Sequence, residues 1–272
     1  MQGKIVLVTG ATDGIGKQTA LELAQLGATV LLHGRSAERG QRALADIRAA
    51  LGSAAKPRLD FFLADLSSQH QVRRLAAEVE AKYDRLHVLI NNAGVFTKRR
   101  ELTEDGLELT FAVNHLAPFL LTNLLLDLLK RSAPARIITL SSVLHQRSLV
   151  DFNNLQGERF FDGNQAYGLS KLGNVLFTVE LAERLRGAGV TANCLHPGSI
   201  DTKMLRAAFG GMHGDTVAAG AATPVYLATA PEVENVSGFY FDRKRSAKTS
   251  PLAQDAELRR KFWEVSARLT GL

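Results

Sequence analysis

KIVLVTGATDGIG, Lys4 to Gly16, carries a strand, a turn and the start of a helix in one short run. Ile5, Val6, Leu7 and Val8 are continuously apolar and mostly β-branched, which predicts a strand buried on both faces. Thr9-Gly10 breaks the run, and glycines follow at Gly10, Gly14 and Gly16. Apolar residues then return at helical spacing from Ile15 to Leu26 (Ile15, Ala20, Leu23, Ala24, Leu26), with Gly27 as the stop. A helix start offers unpaired N–H groups and the positive end of the dipole. A turn without side chains lets a pyrophosphate reach them. Gly-x-x-x-Gly-x-Gly is a weak signal alone; its weight comes from the flanking strand and helix. The plain alternative is a tight structural turn.

The chain has 272 residues, 46% of them hydrophobic, enough for one α/β domain spanning 1–272 with a full core. Cys194 is the only cysteine, which excludes an internal disulfide and a multi-cysteine zinc site. The seven histidines show no metal-ligand spacing and read as surface or packed residues, so no metal is expected. Net charge is +6, but Lys and Arg are scattered among acids without interleaved aromatics. Even Asp242-Arg243-Lys244-Arg245 is short, so this is solvated surface rather than a nucleic-acid interface. No signal-like N-terminus and no bilayer-spanning apolar run occur; a soluble cytoplasmic protein is the expectation.

Strand and helix patterns alternate after the first turn. Thr29–Leu32 predicts a second strand, 37–51 a helix, Leu59–Leu63 a third strand, 69–83 a helix and His87–Ile90 a fourth strand, with 52–57 a loop. A long helix is expected from Asp105 to about Arg131, with Pro118 inside it. Pro118 has no N–H to offer the carbonyl of Asn114, which predicts a free carbonyl there and a kink. Arg136–Leu140 predicts a fifth strand and 143–163 a long irregular connection. A helix over 165–187, a strand over Val190–Leu195, a mobile stretch over 201–214, a helix over 216–229, a strand over Gly238–Phe241 and a last helix over 256–269 complete the chain. Short loops between alternating elements imply a parallel sheet, so the expected fold is α/β: a Rossmann-type doubly wound sheet of about seven mostly parallel strands with helices on both faces.

The chemistry gathers past the strand ends, where such sheets bind ligands. Asn92, Ser142 and Pro197 all follow strands directly. Tyr167 and Lys171 stand at i and i+4, on one helix face. An ammonium one turn away favours phenolate, which would let Tyr167 act as acid or base near neutrality. In this reading Ser142 hydrogen-bonds the substrate oxygen. Lys171 lowers the tyrosine pKa and holds a ribose. Asn114, through its carbonyl and a water, resupplies Lys171 with protons. At the end of the second strand no carboxylate occurs between Val30 and Ala37 to bind both ribose hydroxyls. Arg35 stands there instead, with Lys17 past the glycines, which suits a 2′-phosphate and favours NADP(H) over NAD(H).

Taken together, TGATDGIG (Thr9–Gly16), Asp65-Leu66, NNAG (Asn91–Gly94), Asn114, Ser142, Tyr167 with Lys171, and Pro197-Gly198 with Ile200 and Thr202 resemble the short-chain dehydrogenase/reductase family over essentially the whole chain. The resemblance implies that Gly10, Thr12, Asp13, Gly14, Ile15 and Gly16 cradle the pyrophosphate. It implies that Asp65, Leu66, Asn92, Ala93 and Gly94 line the adenosine pocket, and that Pro197, Gly198, Ile200 and Thr202 hold the nicotinamide. Ser142 rather than Ser141 is implied because the second serine of the pair usually carries the role. Three features are similar to the retinol dehydrogenase and WW-domain oxidoreductase branch: the 25-residue separation of Ser142 from Tyr167, the segment YGLSKLGNVLFTVELAERL (Tyr167–Leu185), and Phe262-Trp263-Glu264. Two departures from that branch are read from the sequence: it opens directly on the first strand, so neither the membrane segment nor the WW modules of those relatives are expected, which weakens the case for a retinoid substrate. The resemblance also implies that the helices at 105–131 and 165–187 pair between subunits in a homodimer or homotetramer.

The expected activity is therefore NADP(H)-dependent interconversion of an alcohol and its aldehyde or ketone. Phe152, Phe160, Phe161, Leu205 and Phe209, in substrate loops near 143–163 and 199–214, would form an apolar lid over a hydrophobic substrate. A nucleotide-binding sensor without turnover and an NAD-dependent alcohol dehydrogenase are the competing readings. Cys194 and Trp263 read as packing.

Overall fold

A computed structural model describes residues 1–52, 58–210 and 214–272. The described strands are β1 (Ile5–Val8), β2 (Thr29–Gly34), β3 (Leu59–Leu63), β4 (Val88–Asn91), β5 (Ala135–Leu140), β6 (Val190–His196), β7 (Tyr240–Asp242) and β8 (Arg245–Ser246). The helices are α1 (Gly14–Gln25), α2 (Ala37–Leu51), α3 (Gln69–Lys82), α4 (Leu109–Phe111), α5 (Ala117–Leu124), α6 (Leu126–Arg131), α7 (Gly163–Arg184), α8 (Lys203–Phe209), α9 (Val217–Thr229) and α10 (Ala256–Thr270). The strands form one sheet in the order β3-β2-β1-β4-β5-β6-β7-β8, parallel except for the last pair. The α/β class and doubly wound sheet are as expected from the sequence.

Side-chain alternation along the strands sorts the core into two layers. Leu7, Leu31, Leu89 and Ile137 face α3, α5 and α7, meeting Leu75, Phe119 and Leu181. Val6, Val30, Leu32 and Ile138 face α1, α2 and α9, meeting Leu23, Ile47 and Leu227. With helices on both faces, no strand face is left for polar residues, which is why the strands read as unbroken apolar runs. A third cluster, including Phe111, Leu172, Leu176 and Phe262, joins α4 and α7 to α10.

Three departures from the sequence reading have physical causes. The sheet has an eighth strand among the described residues, because Arg243 and Lys244 turn the chain with φ of 46° and 64°. A two-residue hairpin of type I′ needs positive φ at both positions, and the usual Asn-Gly signal is absent here. The expected helix over 105–131 begins only at Leu109 and is broken. Glu108 caps it, its carboxylate accepting from the N–H groups of Thr110 and Phe111 at 2.9 and 2.7 Å. The disturbance predicted from Pro118 is a π turn over Ala112–Leu116, in which the Ala117 N–H reaches the Ala112 carbonyl. Pro118 follows in the first turn of α5 and offers no N–H to the carbonyl of Asn114 four residues back. The stretch 201–214, expected to be mobile, contains α8, capped by Thr202. Residues 53–57 of the expected loop, and 211–213 with His213, lie outside the described residues.

Strand order reverses between β1 and β4, and the chain leaves their carboxyl ends at Thr9-Gly10 and Asn92. The crevice between those two exits is where a ligand fits an open sheet of this kind.

Candidate active site

The Gly-rich turn and the Asn-Asn-Ala-Gly turn are built against each other. Asn92 Nδ2 donates to the Thr9 carbonyl at 2.7 Å, and the N–H groups of Asn92 and Ala93 donate to Thr9 Oγ1 at 3.0 and 3.1 Å. This closeness demands glycine. A Cβ on Gly10, whose φ is 65°, would sit 3.0 Å from Ala93 Cα, and one on Gly16 would collide with Asn92 Nδ2 and the Gly10 carbonyl. Asp13 caps α1, accepting from the Gly14 N–H at 2.9 Å. The helix start therefore opens on the crevice, as the strand–turn–helix pattern predicts.

That crevice is a cleft of about 710 Å³. Its walls include Gly10, Thr12, Asp13, Gly14, Ile15 and Gly16 from the turn, Arg35 after β2, and Asp65 and Leu66 after β3. Asn92, Ala93 and Gly94 follow β4; Tyr167 and Lys171 come from α7; Pro197 and Thr202 come from the segment after β6. Gly198 and Ile200 lie instead on a second, apolar cleft of about 310 Å³. Asp65 is braced by Ser67, whose N–H and hydroxyl both donate to it. Arg35 is exposed at the cleft's end, and Arg39, not singled out from sequence, lines it from the first turn of α2. Lys17, expected to serve beside Arg35, is paired with Asp46 at 2.5 Å.

The predicted acid–base residues come together beneath both clefts. Tyr167, Ser142, Lys171 and Asn114 are all buried. Ser142 and Tyr167 face the same apolar cleft. Ser142 Oγ also accepts the Leu144 N–H at 3.3 Å, whereas Ser141 Oγ is spent on the Lys171 carbonyl at 2.8 Å. Lys171 Nζ lies 5.5 Å from the Tyr167 ring centre and donates to the Leu140 carbonyl at 3.1 Å. Gly94 borders the same corner: a Cβ there would stand in ordinary contact, 3.6 Å from Lys171 Nζ and 3.4 Å from Asn114 Oδ1. Asn114 lies in the π turn, where its side chain clamps Val95: Oδ1 accepts the Val95 N–H at 2.7 Å and Nδ2 donates to the Val95 carbonyl at 3.0 Å.

The electrostatics differ from the sequence expectation. Burial pushes the Tyr167 phenol up to about 12, with the Ser142 hydroxyl pulling the other way. Burial pushes Lys171 down to about 8. Desolvation of both groups outweighs the pull of the ammonium on the phenol.

Of the expected apolar lid, Leu205 lines the second cleft, whereas Phe152, Phe160 and Phe161 do not. The apolar cleft is lined by Phe96, Val143, Leu144, Met204 and Leu205, with Tyr167, Ser142 and His196 at its polar side. Phe96 stands edge-on to Tyr167, 6.0 Å between ring centres. Phe152 instead packs toward Phe262 and beneath Lys261. Phe160 is 64% exposed. Phe161 lies against Gly157. The Phe209 side chain lies outside the described residues.

Residues 4–211 match the model of the family described as short chain dehydrogenase. The chain belongs to the short-chain dehydrogenase family. Human retinol dehydrogenase 13 is 45% identical over 287 aligned positions, spanning 99% of this chain and 85% of that one. Human retinol dehydrogenase 14 is 42% identical, over 100% of this chain and 88% of that one. Among solved structures, a short chain dehydrogenase from Burkholderia cenocepacia in complex with NADP superposes with a TM-score of 0.72 at 30% identity, over 88% of this chain and 96% of that one. An uncharacterised protein of Mycobacterium paratuberculosis reaches 0.80 at 31% identity, over 99% and 94%. The short-chain dehydrogenase chain is thus an oxidoreductase acting on CH–OH groups with an NAD(P) cofactor. No helix of its described residues is long and apolar enough to cross a membrane.

Proposed function

We propose that the enzyme interconverts a hydrophobic alcohol and its aldehyde or ketone, prefers NADP(H), and uses Tyr167 as general acid and base. One observation carries the reading: Tyr167 lines both the nucleotide-sized cleft and the apolar cleft. A proton-transfer group belongs at such a meeting point. The first cleft suits a dinucleotide, since a helix start and two glycine-bearing turns border it and basic Arg35 and Arg39 close its far end. Those cations, with no carboxylate between Val30 and Ala37, favour a 2′-phosphate. The names of the retinol dehydrogenase relatives agree with an apolar second cleft.

A bound nicotinamide supplies or accepts the hydride. The chain's residues manage the oxygen and its proton. Ser142 holds the substrate oxygen beside Tyr167. At neutral pH a phenol held at about 12 carries its proton, the form that completes a carbonyl reduction. Lys171 lends positive charge beside the emptied phenolate, and Asn114, through its backbone carbonyl and a water, returns the proton. Replacing Tyr167 by Phe should cut aldehyde and ketone reduction by about a hundredfold or more, with NADPH binding by fluorescence unchanged. A variant that reduces as fast as the wild type overturns the mechanism. The same assay with NADH in place of NADPH should give the lower kcat/KM.

A further inference from the structure

Immediately past Ser142 the chain makes a 3₁₀ turn, Val143–Arg147, and buries His145 completely. Its ring touches neither cleft. His145 Nδ1 lies 2.6 Å from the Ser142 carbonyl oxygen, and Nε2 lies 3.2 Å from the backbone nitrogen of Ser250, 105 residues later. A carbonyl only accepts and a backbone N–H only donates. Both contacts hold together in one state alone, the neutral ring with its proton on Nδ1. Burial, which lowers the ring's pKa, keeps it in that state. The Tyr240 ring, 4.6 Å away between centres, packs against its side.

Ser142 has little other support. The His145 N–H reaches the same carbonyl at 3.1 Å, and the Ser142 hydroxyl accepts the Leu144 N–H at 3.3 Å. The direction of that hydroxyl follows from the plane of the Ser142 peptide. Gln146 Nε2 ties the turn to the Lys248 carbonyl at 3.1 Å, but of the two groups that donate to the Ser142 carbonyl only the His145 ring reaches beyond the turn, to Ser250.

We propose that His145 is a positioning residue: its Nδ1–H fixes the Ser142 carbonyl, and through it the hydroxyl that meets the substrate oxygen. The inference rests on the role given to Ser142 above. His145→Asn keeps a donor in the place of Nδ1. His145→Gln carries its amide out to the place of Nε2 and leaves the Ser142 carbonyl without it. The asparagine variant should keep kcat for reduction within about threefold of wild type, and the glutamine variant should lose tenfold or more, on the order expected for a misplaced reacting group. NADPH affinity should stay within about twofold in both, since neither variant alters the cofactor cleft. In a Ser142→Ala background the glutamine change should cost nothing further. Equal losses in both variants, or the same loss with and without Ser142, overturn the proposal. If the glutamine variant does not fold, by circular dichroism and thermal unfolding, His145→Ala on the two serine backgrounds makes the same comparison. Tyr167→Phe, run alongside, tests the reading of the site separately: its survival would sink that reading whichever way the histidine variants behave.

Discussion

His33 and His115 carry a stability cost that appears only in acid. His33 sits at the end of β2, its Nδ1 accepting the Gly10 N–H at 3.2 Å and its Nε2–H donating to the Ala64 carbonyl at 3.0 Å. It thereby ties the first exits of β1, β2 and β3 into one rim of the cofactor cleft. His115 is packed among Phe111, Phe119 and Phe262, with Nε2 2.8 Å from Ser266 Oγ. Burial pushes both rings down to about 4 from 6.5. As pH falls through that window the unfolded chain binds a proton at each ring before the folded chain does, so stability present above 6.5 is lost toward 4. Each ring contributes on the order of 3 kcal/mol to the loss. His115→Gln keeps a polar side chain without a proton to bind. Denaturant unfolding should therefore show the variant losing less stability than wild type between pH 6.5 and 4, by about that amount. Parallel curves would mean that the ring does not titrate in this range.

At the scale of elements, α8 is tied across the cleft mouth. Its capping residue Thr202 lies 3.4 Å from where a Cβ on Gly14 would be, and Lys203 Nζ meets Asp13 Oδ2 at 2.6 Å. The pair is exposed, with 77% and 53% of the two side chains in solvent, so it is weak. Lys203→Ala should speed NADPH release by no more than about fivefold at low salt in stopped flow, with the difference closing at high salt. No change at low salt would mean that the pair does not hold α8 over the turn. This element was not readable in advance, because a Gly- and Met-containing stretch with one capping threonine looks like a loop. By contrast, the strands from β1 to β6 were legible, since burial on both faces writes a plain apolar run. Tyr167 and Lys171 were legible because helical spacing alone puts them on one face. What stayed hidden depends on distant partners. Nothing near His145 points to Ser250, nothing near Phe152 points to Phe262, and Arg243-Lys244 carries no glycine to announce a hairpin.

For the molecule as a whole, α7 is the helix on which the expected pairing between subunits would rest. The family resemblance implies that α7 and the helices before β5 pair between subunits. Within a single chain, however, every residue of α7 from Tyr167 to Thr178 is already buried. A helix buried all round offers no stripe to a second copy. The cover includes α10. Trp263 stacks on Phe177 and stands edge-on to Phe119, while Arg184 lies 4.2 Å over its ring. Arg259, itself buried, donates to Glu183 at 2.9 Å and sits 3.7 Å from Glu180. Removing α10 from this surface would take Arg259 away from the buried Glu180 carboxylate and open an aromatic cluster, so a second copy is a poor competitor for the place. Light scattering should accordingly give the mass of one chain, 29.5 kDa, at working concentrations. Twice that mass, lost on replacing an exposed residue of α7 such as Glu183 by Lys, would show that the chain pairs through α7 after all, and that α10 yields its place to do so.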